Sequence, residues 1–336
     1  MATTSSFLAR GKFSIAIVGA TGRLGKTITS TLSTTYKYQF SRIIALTRDE
    51  SSDVARDLSR LQGVEVRVVS FTDSYNEGYI SRVLQNVDVV VNVLGAGASV
   101  SEKDAVLEAS IKARARIYFP SEFGVDHRNN DKIFPSFDHL EWIKKRKHLK
   151  LADELVKQHG SDTKIVSIYC GLFLEMVFAV TGLDISTYTF SYLAPSPAPP
   201  FPRVSITSTQ DVAHAIASLI PIFMAPQDLS TSLPTHIRLA GTLHTVPEIA
   251  DIYKKVTGEE IKLDRKDVSE VKEKLREEMK VEGTEWRGAP GGHIQIIMGE
   301  GMLDFTDNDN ELVNPGGARW VWKGVEEYIR ELQQQK

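Results

Sequence analysis

The sequence predicts an α/β fold built on a doubly wound parallel sheet, and three observations carry that reading. Short β-branched runs alternate with helical patterns from Phe13 to Lys164. Several of those runs are nearly continuous in Val and Ile, as strands buried on both faces must be. A glycine turn, Gly19-Ala-Thr-Gly22-Arg-Leu-Gly25, follows the first run directly and opens the first helical pattern.

The predicted strands are Phe13–Val18, Arg42–Leu46, Val64–Val69, Val87–Leu94, Arg116–Phe119 and Lys164–Tyr169. Valines 87, 89, 90, 91 and 93 make the fourth the clearest case of a strand covered by crossover helices. Between the first two strands, Leu24, Ile28 and Leu32 recur at i, i+4 spacing and predict a helix over Leu24–Leu32. After Gly171 the rhythm changes. Leu193–Pro202 carries five prolines and reads as a loop outside the fold. Thr209–Ile220 reads as a helix, His236–Ala240 as a strand, and Val246–Val256 as a helix stopped by Gly258. Asp267–Lys280 is a charged amphipathic helix with Val268, Val271, Leu275 and Met279 on one stripe, and Gly283–Gly301 reads as irregular. The expected organisation is a core over 13–170 and a smaller C-terminal lobe over 171–330, interleaved with the core.

Composition narrows the function classes. A net charge of −3 over 336 residues gives no general electrostatic reason to bind nucleic acid. The single cysteine, Cys170, excludes an internal disulfide and a Cys-rich zinc site, and suits a reducing compartment. The first dozen residues lack a secretory apolar stretch, and no run approaches the roughly 18 apolar residues of a membrane span, so the cytoplasm is the expected location. No His, Cys or carboxylate cluster has metal-ligand spacing, and no metal is expected.

The glycine turn carries the first chemical reading. Gly19 permits a tight turn, Gly22 lets the backbone approach a pyrophosphate, and Gly25 lets the helix pack closely on the sheet. The helix N-terminus then faces the phosphates. That is the dinucleotide site of a Rossmann-type fold, with Thr21, Arg23 and Leu24 as its other lining residues. At the end of the second strand the order Leu46-Thr47-Arg48-Asp49-Glu50 puts a basic residue first, and an arginine there pairs with the 2′-phosphate of NADPH. Two acids follow at once, so NADPH is favoured over NADH by Arg48 alone, with Arg23 as a second cation.

Beyond the fifth strand stands Tyr118-Phe119-Pro120-Ser121-Glu122-Phe123-Gly124-Val125-Asp126. Together with Gly19–Gly25, the Val run ending in Leu94-Gly95, and Gly171-Leu172-Phe173-Leu174-Glu175, it closely resembles the isoflavone reductase-like, NmrA-like group of atypical short-chain dehydrogenases. The resemblance extends from Ile15 to about residue 330, and its details look more like fungal members than plant ones. It implies that Leu94, Gly95, Pro120, Ser121, Glu122 and Phe123 belong to the cofactor site, and that the protein is an NADPH-dependent reductase of a small aromatic or secondary-metabolite substrate.

Ordinary short-chain dehydrogenases use Tyr-x-x-x-Lys, but none of the ten tyrosines has a lysine four residues later. Enzymes resembling isoflavone reductase use a lysine without that tyrosine. Their pattern, an aromatic residue three positions before the lysine, selects Lys145 from Trp142-Ile143-Lys144-Lys145-Arg146-Lys147-His148, with Lys147 as runner-up. Such a lysine would exchange a proton with a substrate oxygen as hydride moves. The bland reading stays beside it: five basic residues from Lys144 to Lys150 also make a solvated helix face. Gly171, Phe173, Met176 and His127 are candidate substrate contacts, as are the Pro-rich loop and the stretch around Trp286–Met302. Two rivals share the same dinucleotide site: a non-catalytic NADP(H)-sensing regulator that binds a protein partner, and an NADPH-using isomerase or epimerase. A monomer and a homodimer are both compatible with the sequence.

Overall fold

The structure, a computed structural model, describes residues 12–70, 77–180, 182–184, 187–197, 201–225, 233–282 and 290–334. The chain divides into two compact units. The first takes the chain up to Glu122, then Lys147–Ser167 and Val212–Ile237; the second takes Phe123–Arg146, Ile168–Asp211 and the chain from Arg238 onward.

The first unit is built on six parallel strands: β1 (Phe13–Val18), β2 (Phe40–Thr47), β3 (Val64–Val68), β4 (Val89–Asn92), β5 (Ile117–Phe119) and β6 (Lys164–Ile165). Their spatial order is β3-β2-β1-β4-β5-β6, so the direction of winding reverses between β1 and β4. A reversal leaves a crevice at the carboxyl ends of the two central strands, because the crossovers leave them toward opposite faces. The crossovers carry α1 (Arg23–Thr34), α2 (Asp53–Ser59), α3 (Glu77–Val83) and α4 (Val100–Lys112), and α5 (Asn130–Ile133) and α6 (Leu140–Gln158) lie between β5 and β6. The Val and Ile runs follow from this burial: Ile15, Ala16, Ile17, Val89, Val90 and Val91 are all fully shielded. On one face Val18, Leu46, Val90, Leu107, Tyr118 and Ala152 share a single core cluster.

The remaining elements are β7 (Ser167–Tyr169), β8 (Leu172–Phe173), α7 (Val177–Val180), β9 (Leu183–Asp184), β10 (Thr189–Ala194), β11 (Arg203–Thr207), α8 (Thr209–Met224), β12 (His236–Arg238), β13 (Thr242–Thr245), α9 (Val246–Thr257), β14 (Lys262–Asp267), α10 (Val268–Glu282), α11 (Gly291–Gly299), α12 (Asn310–Val313) and α13 (Val325–Gln334). The second unit holds two small sheets, β14-β10-β9 and β13-β11-β8, each with one parallel and one antiparallel pairing. Phe134, Leu174, Phe190, Ile206, Ile249, Ile297 and Phe305 belong to its core.

Two expectations change. The run Lys164–Tyr169 is two strands, not one: β6 joins the six-stranded sheet, the chain turns at Val166, and β7 pairs instead with β12. The stretch read as irregular holds α11, with Ile296, Ile297 and Met298 buried. Of the three glycines of α11, Gly299 is there for contact. A Cβ on Gly299 would stand 2.9 Å from Leu193 Cβ and 2.9 Å from Val268 Cγ2, so only glycine lets this helix pack so near β10 and α10. Residues 283–289, including Trp286, lie outside the described residues.

Candidate active site

The carboxyl ends of β1, β2, β4 and β5 meet at the winding reversal, and the sequence-predicted cofactor residues of the first unit stand there. The backbone N–H groups of Gly19 and Ala20 both donate to Leu46 O, at 3.1 and 3.0 Å, which ties the glycine turn to the end of β2. Gly19 has φ +87°, and a Cβ on it would lie 3.2 Å from Val93 O. A Cβ on Gly25 would lie 2.3 Å from Gly19 O, so the first helix turn and the loop touch through backbone alone. Gly19 thus makes the tight turn, and Gly25 the close helix contact, that the sequence predicts.

The start of α1 is the chemically informative part. Its N-cap is Gly22, no side chain caps it, and no acid stands in its first turn. By contrast, α2 is capped by Ser52 and α4 by a Ser99–Glu102 capping box. The leading N–H groups of α1 thus keep their hydrogen-bonding capacity and positive field for an anion. Thr21 Oγ1 lies 3.2 Å from Thr47 Oγ1 beside this turn.

Arg23 and Arg48 are exposed at the rim, and no side-chain partner for either exists among the described residues. The acid after Arg48 is occupied. Asp49 Oδ1 accepts from Ser51 Oγ at 2.6 Å and Ser51 N at 2.8 Å, and these two bonds hold its carboxyl below the ordinary value. Asp49 closes its own turn. Glu50 remains exposed.

Leu94 and Gly95 form the opposite wall. Leu94 N donates to Asn92 Oδ1 at 3.1 Å, and Ser121 Oγ donates to Leu94 O at 2.6 Å. Pro120 and Glu122 are buried and bonded to each other, Glu122 N to Pro120 O at 2.7 Å. Phe123, half-buried, begins the second unit.

In α6 the basic run sorts itself by partner. Lys144 pairs with Glu141 at 2.9 Å, Arg146 with Asp138 at 2.5 Å, and Lys150 reaches Glu154 at 3.9 Å. Lys145 is half-buried, and its charge acts on the buried Cys170 thiol; Lys147 is exposed. Burial pushes that thiol up to about 12, so Cys170 is an inert core residue.

The candidate substrate contacts belong to the second unit. His127 is fully buried, edge-on to Tyr169 at 6.0 Å, and its carbonyl accepts from Arg146 at 3.0 Å. Gly171, at φ +66°, would bring a Cβ to 2.0 Å from Ser205 O, so it serves the packing of β11. Phe173 and Met176 are half-buried. Glu175 accepts from Thr209 N at 3.0 Å and Thr209 Oγ1 at 2.8 Å, which places its charge at the start of α8. A small apolar recess of about 10 Å³, room for one water, joins Phe201 and Pro202 of the Pro-rich loop to Met298.

Sequence reasoning missed a buried polar chain behind Leu94. Asn92 Nδ2 donates to Tyr118 OH at 2.9 Å; that hydroxyl lies 3.2 Å from His148 Nε2, and His148 Nδ1 lies 2.6 Å from Asp104 Oδ1. The available signal was Asn92 itself, a lone amide ending the strand Val89-Val90-Val91. Among the described residues, no group of three or more His, Cys, Asp and Glu side chains is disposed to hold a metal, and no helix is long and apolar enough to cross a membrane.

A glycine turn at the winding reversal of a six-stranded parallel sheet, backed by an uncapped helix, defines a Rossmann-type dinucleotide-fold protein. Within that class the chain belongs to the NmrA-like family, whose profile matches residues 11–287. Solved structures agree on the fold. AtPrR2 with NADP+ and (+)pinoresinol is 17% identical at a TM-score of 0.71, covering 96% of this chain and 99% of that one. The leucoanthocyanidin reductase–NADPH complex from Vitis vinifera is 16% identical, with TM-score 0.68 and coverage of 95% and 98%. An isoflavone reductase is 16% identical, with TM-score 0.67 and coverage of 96% and 100%. No curated protein sequence matches the chain.

Proposed function

We propose that this protein is an NADPH-dependent reductase of a small, aromatic or secondary-metabolite substrate, with Lys145 as the group that delivers a proton. The observation that carries the cofactor half is the rim of the glycine turn: an uncapped α1 with no acid in its first turn, Arg48 and Arg23 with no side-chain partner among the described residues, and Asp49 turned onto Ser51. Residues Gly19–Gly25 would hold the pyrophosphate, Arg48 the 2′-phosphate, and the Leu94–Gly95 and Pro120–Glu122 backbones the walls. The AtPrR2 complex with NADP+ and the reductase complex with NADPH support the same cofactor.

Bound NADPH supplies a hydride. The chain's part is to protonate the oxygen that gains negative charge as hydride arrives. Lys145 suits that task by its place in the run, half-buried where Lys147 and Lys150 face water.

Three measurements on one preparation test the proposal: dissociation constants for NADPH and NADH, the same for Arg48→Ser, and NADPH oxidation across aromatic ketones, enones and quinones with Lys145→Ala as control. The expected result is NADPH preference, reduced about tenfold or more in Arg48→Ser, with turnover abolished and NADPH affinity kept in Lys145→Ala. Equal affinity for both dinucleotides overturns the cofactor choice. Tight NADPH binding with no turnover on any substrate overturns the reductase and leaves the sensing regulator and the isomerase or epimerase.

A further inference from the structure

The Leu94–Gly95 turn is held from behind by a chain of four side chains that starts near solvent and ends on a backbone N–H at the cofactor wall. All four belong to the first unit: Asp104 on α4, His148 on α6, Tyr118 on β5, and Asn92 at the end of β4. Tyr118 and Asn92 are fully buried and His148 is 8% exposed, while the Asp104 side chain keeps 29% of its surface in water.

Donor and acceptor roles follow from the network by elimination. Leu94 N–H donates to Asn92 Oδ1, which fixes the amide and makes Nδ2 the donor to Tyr118 OH. The Tyr118 hydroxyl accepts from Asn92 and still carries its own buried proton, for which His148 Nε2 at 3.2 Å is the acceptor in the chain. An accepting Nε2 leaves the ring proton on Nδ1, donated to Asp104 Oδ1. Burial pushes the Tyr118 phenol far up, with Asn92 opposing and Asp104 and Glu122 reinforcing, so the hydroxyl stays a hydroxyl. Each of these buried polar atoms has a partner within the chain, and a chain satisfied in that way is rigid.

The position it fixes matters because Leu94 is gripped on both sides. Its N–H is taken by Asn92 and its C=O by Ser121 Oγ, and Val93 O faces the missing Cβ of Gly19 at 3.2 Å. A flexible Leu94–Gly95 turn would have to be ordered when a dinucleotide binds, at a cost in affinity; a clamped one is already in place.

We propose that Asn92, Tyr118, His148 and Asp104 form a positioning relay that presets the Leu94–Gly95 wall and thereby sets the affinity for NADP(H). This rests on the reading that the Leu94–Gly95 turn contacts the dinucleotide. None of the four touches the reacting atoms; they act through the backbone of Leu94.

The test compares NADPH dissociation constants of the folded full-length protein with those of Tyr118→Phe, His148→Ala and His148→Gln, alongside the thermal midpoint of each. Tyr118→Phe deletes the hydroxyl and orphans both Asn92 Nδ2 and His148 Nε2; His148→Ala removes the acceptor. Each is expected to weaken NADPH binding about tenfold. His148→Gln keeps an amide oxygen and an amide N–H on a side chain of comparable reach, and is expected to restore affinity to within about twofold of wild type. A network that serves stability alone would lower the midpoints and leave the affinities of the folded variants unchanged, and that outcome overturns the proposal. So does a His148→Gln variant as weak as His148→Ala. Should wild type itself bind no NADPH, the cofactor reading fails and the relay with it; normal wild-type binding with indifferent variants removes the relay only.

Discussion

Gly171 and Gly63 show at the scale of one residue how a shared conformation can carry different costs. Both have positive φ, +66° and +78°, so any L-residue at either site is strained by about 1 kcal/mol. Around Gly63 nothing lies within 4 Å of a built Cβ, whereas at Gly171 Ser205 O lies at 2.0 Å and Ser205 C at 2.8 Å, both backbone. Gly171→Ala must therefore also displace β11, which adds about 1–3 kcal/mol of overpacking. The expected losses of stability are about 3 kcal/mol for Gly171→Ala and about 1 kcal/mol for Gly63→Ala, read from urea midpoints at unchanged slope. Equal losses would mean that β11 yields freely. The glycines of the cofactor turn were legible in the sequence because their role is backbone chemistry fixed by spacing. Glu175 and Asp49 were not, since what an acid does depends on its partner: Thr209, far along the chain, for one and Ser51, through a local turn, for the other.

Within an element the most informative case is α8, which contains Pro221. Proline has no N–H, so the carbonyl four residues back, Ala217 O, loses its helical donor in a segment where Ala217 is 1% exposed. Gln39 Nε2 takes that place at 2.7 Å. The C-terminal end of the same helix is served by two cations: Arg116 donates to Met224 O at 3.2 Å and Lys164 to Phe223 O at 2.7 Å. Gln39→Ala leaves a buried carbonyl unpaired and should cost about 1–3 kcal/mol. Adding Pro221→Ala returns an N–H to the helix, so the double variant should recover most of that loss in a thermal or urea melt; strict additivity of two losses would show that Gln39 serves some other contact. Elements with local punctuation were readable in the same way. The end of α9 is the left-handed Gly258 at φ +79°, and its start is a Thr245–Glu248 capping box. α11 was not readable, because its three glycines signal a loop in sequence, while one of them, Gly299, serves a close approach in space.

Across the whole molecule, the parallel sheet follows from patterns local in sequence, but the division of the chain does not. The route crosses between the two units five times, at 122/123, 146/147, 167/168, 211/212 and 237/238. No linker composition marks these crossings: they fall in the loop after β5, inside α6, inside β7, inside α8 and inside β12. The first unit consequently owns Val212–Ile237. A fragment of residues 13–170 keeps all six parallel strands and the glycine turn, yet loses every contact α8 makes to that sheet's surroundings. Those include Tyr36 OH to His214 Nδ1 at 2.9 Å, Gln39 to Ala217, Arg116 to Met224 and Lys164 to Phe223. It also loses Ile216, Leu219 and Ile220, all fully buried. At about 1.5–3 kcal/mol for each such side chain, these three alone approach the roughly 5–15 kcal/mol by which a domain is stable. The fragment 13–170 is therefore expected to lack a cooperative urea transition, to bind a hydrophobic dye, and to bind NADPH far more weakly than the full chain. A cooperative transition with full-strength NADPH binding would show instead that the six-stranded sheet is self-sufficient and that α8 is only an accessory to it.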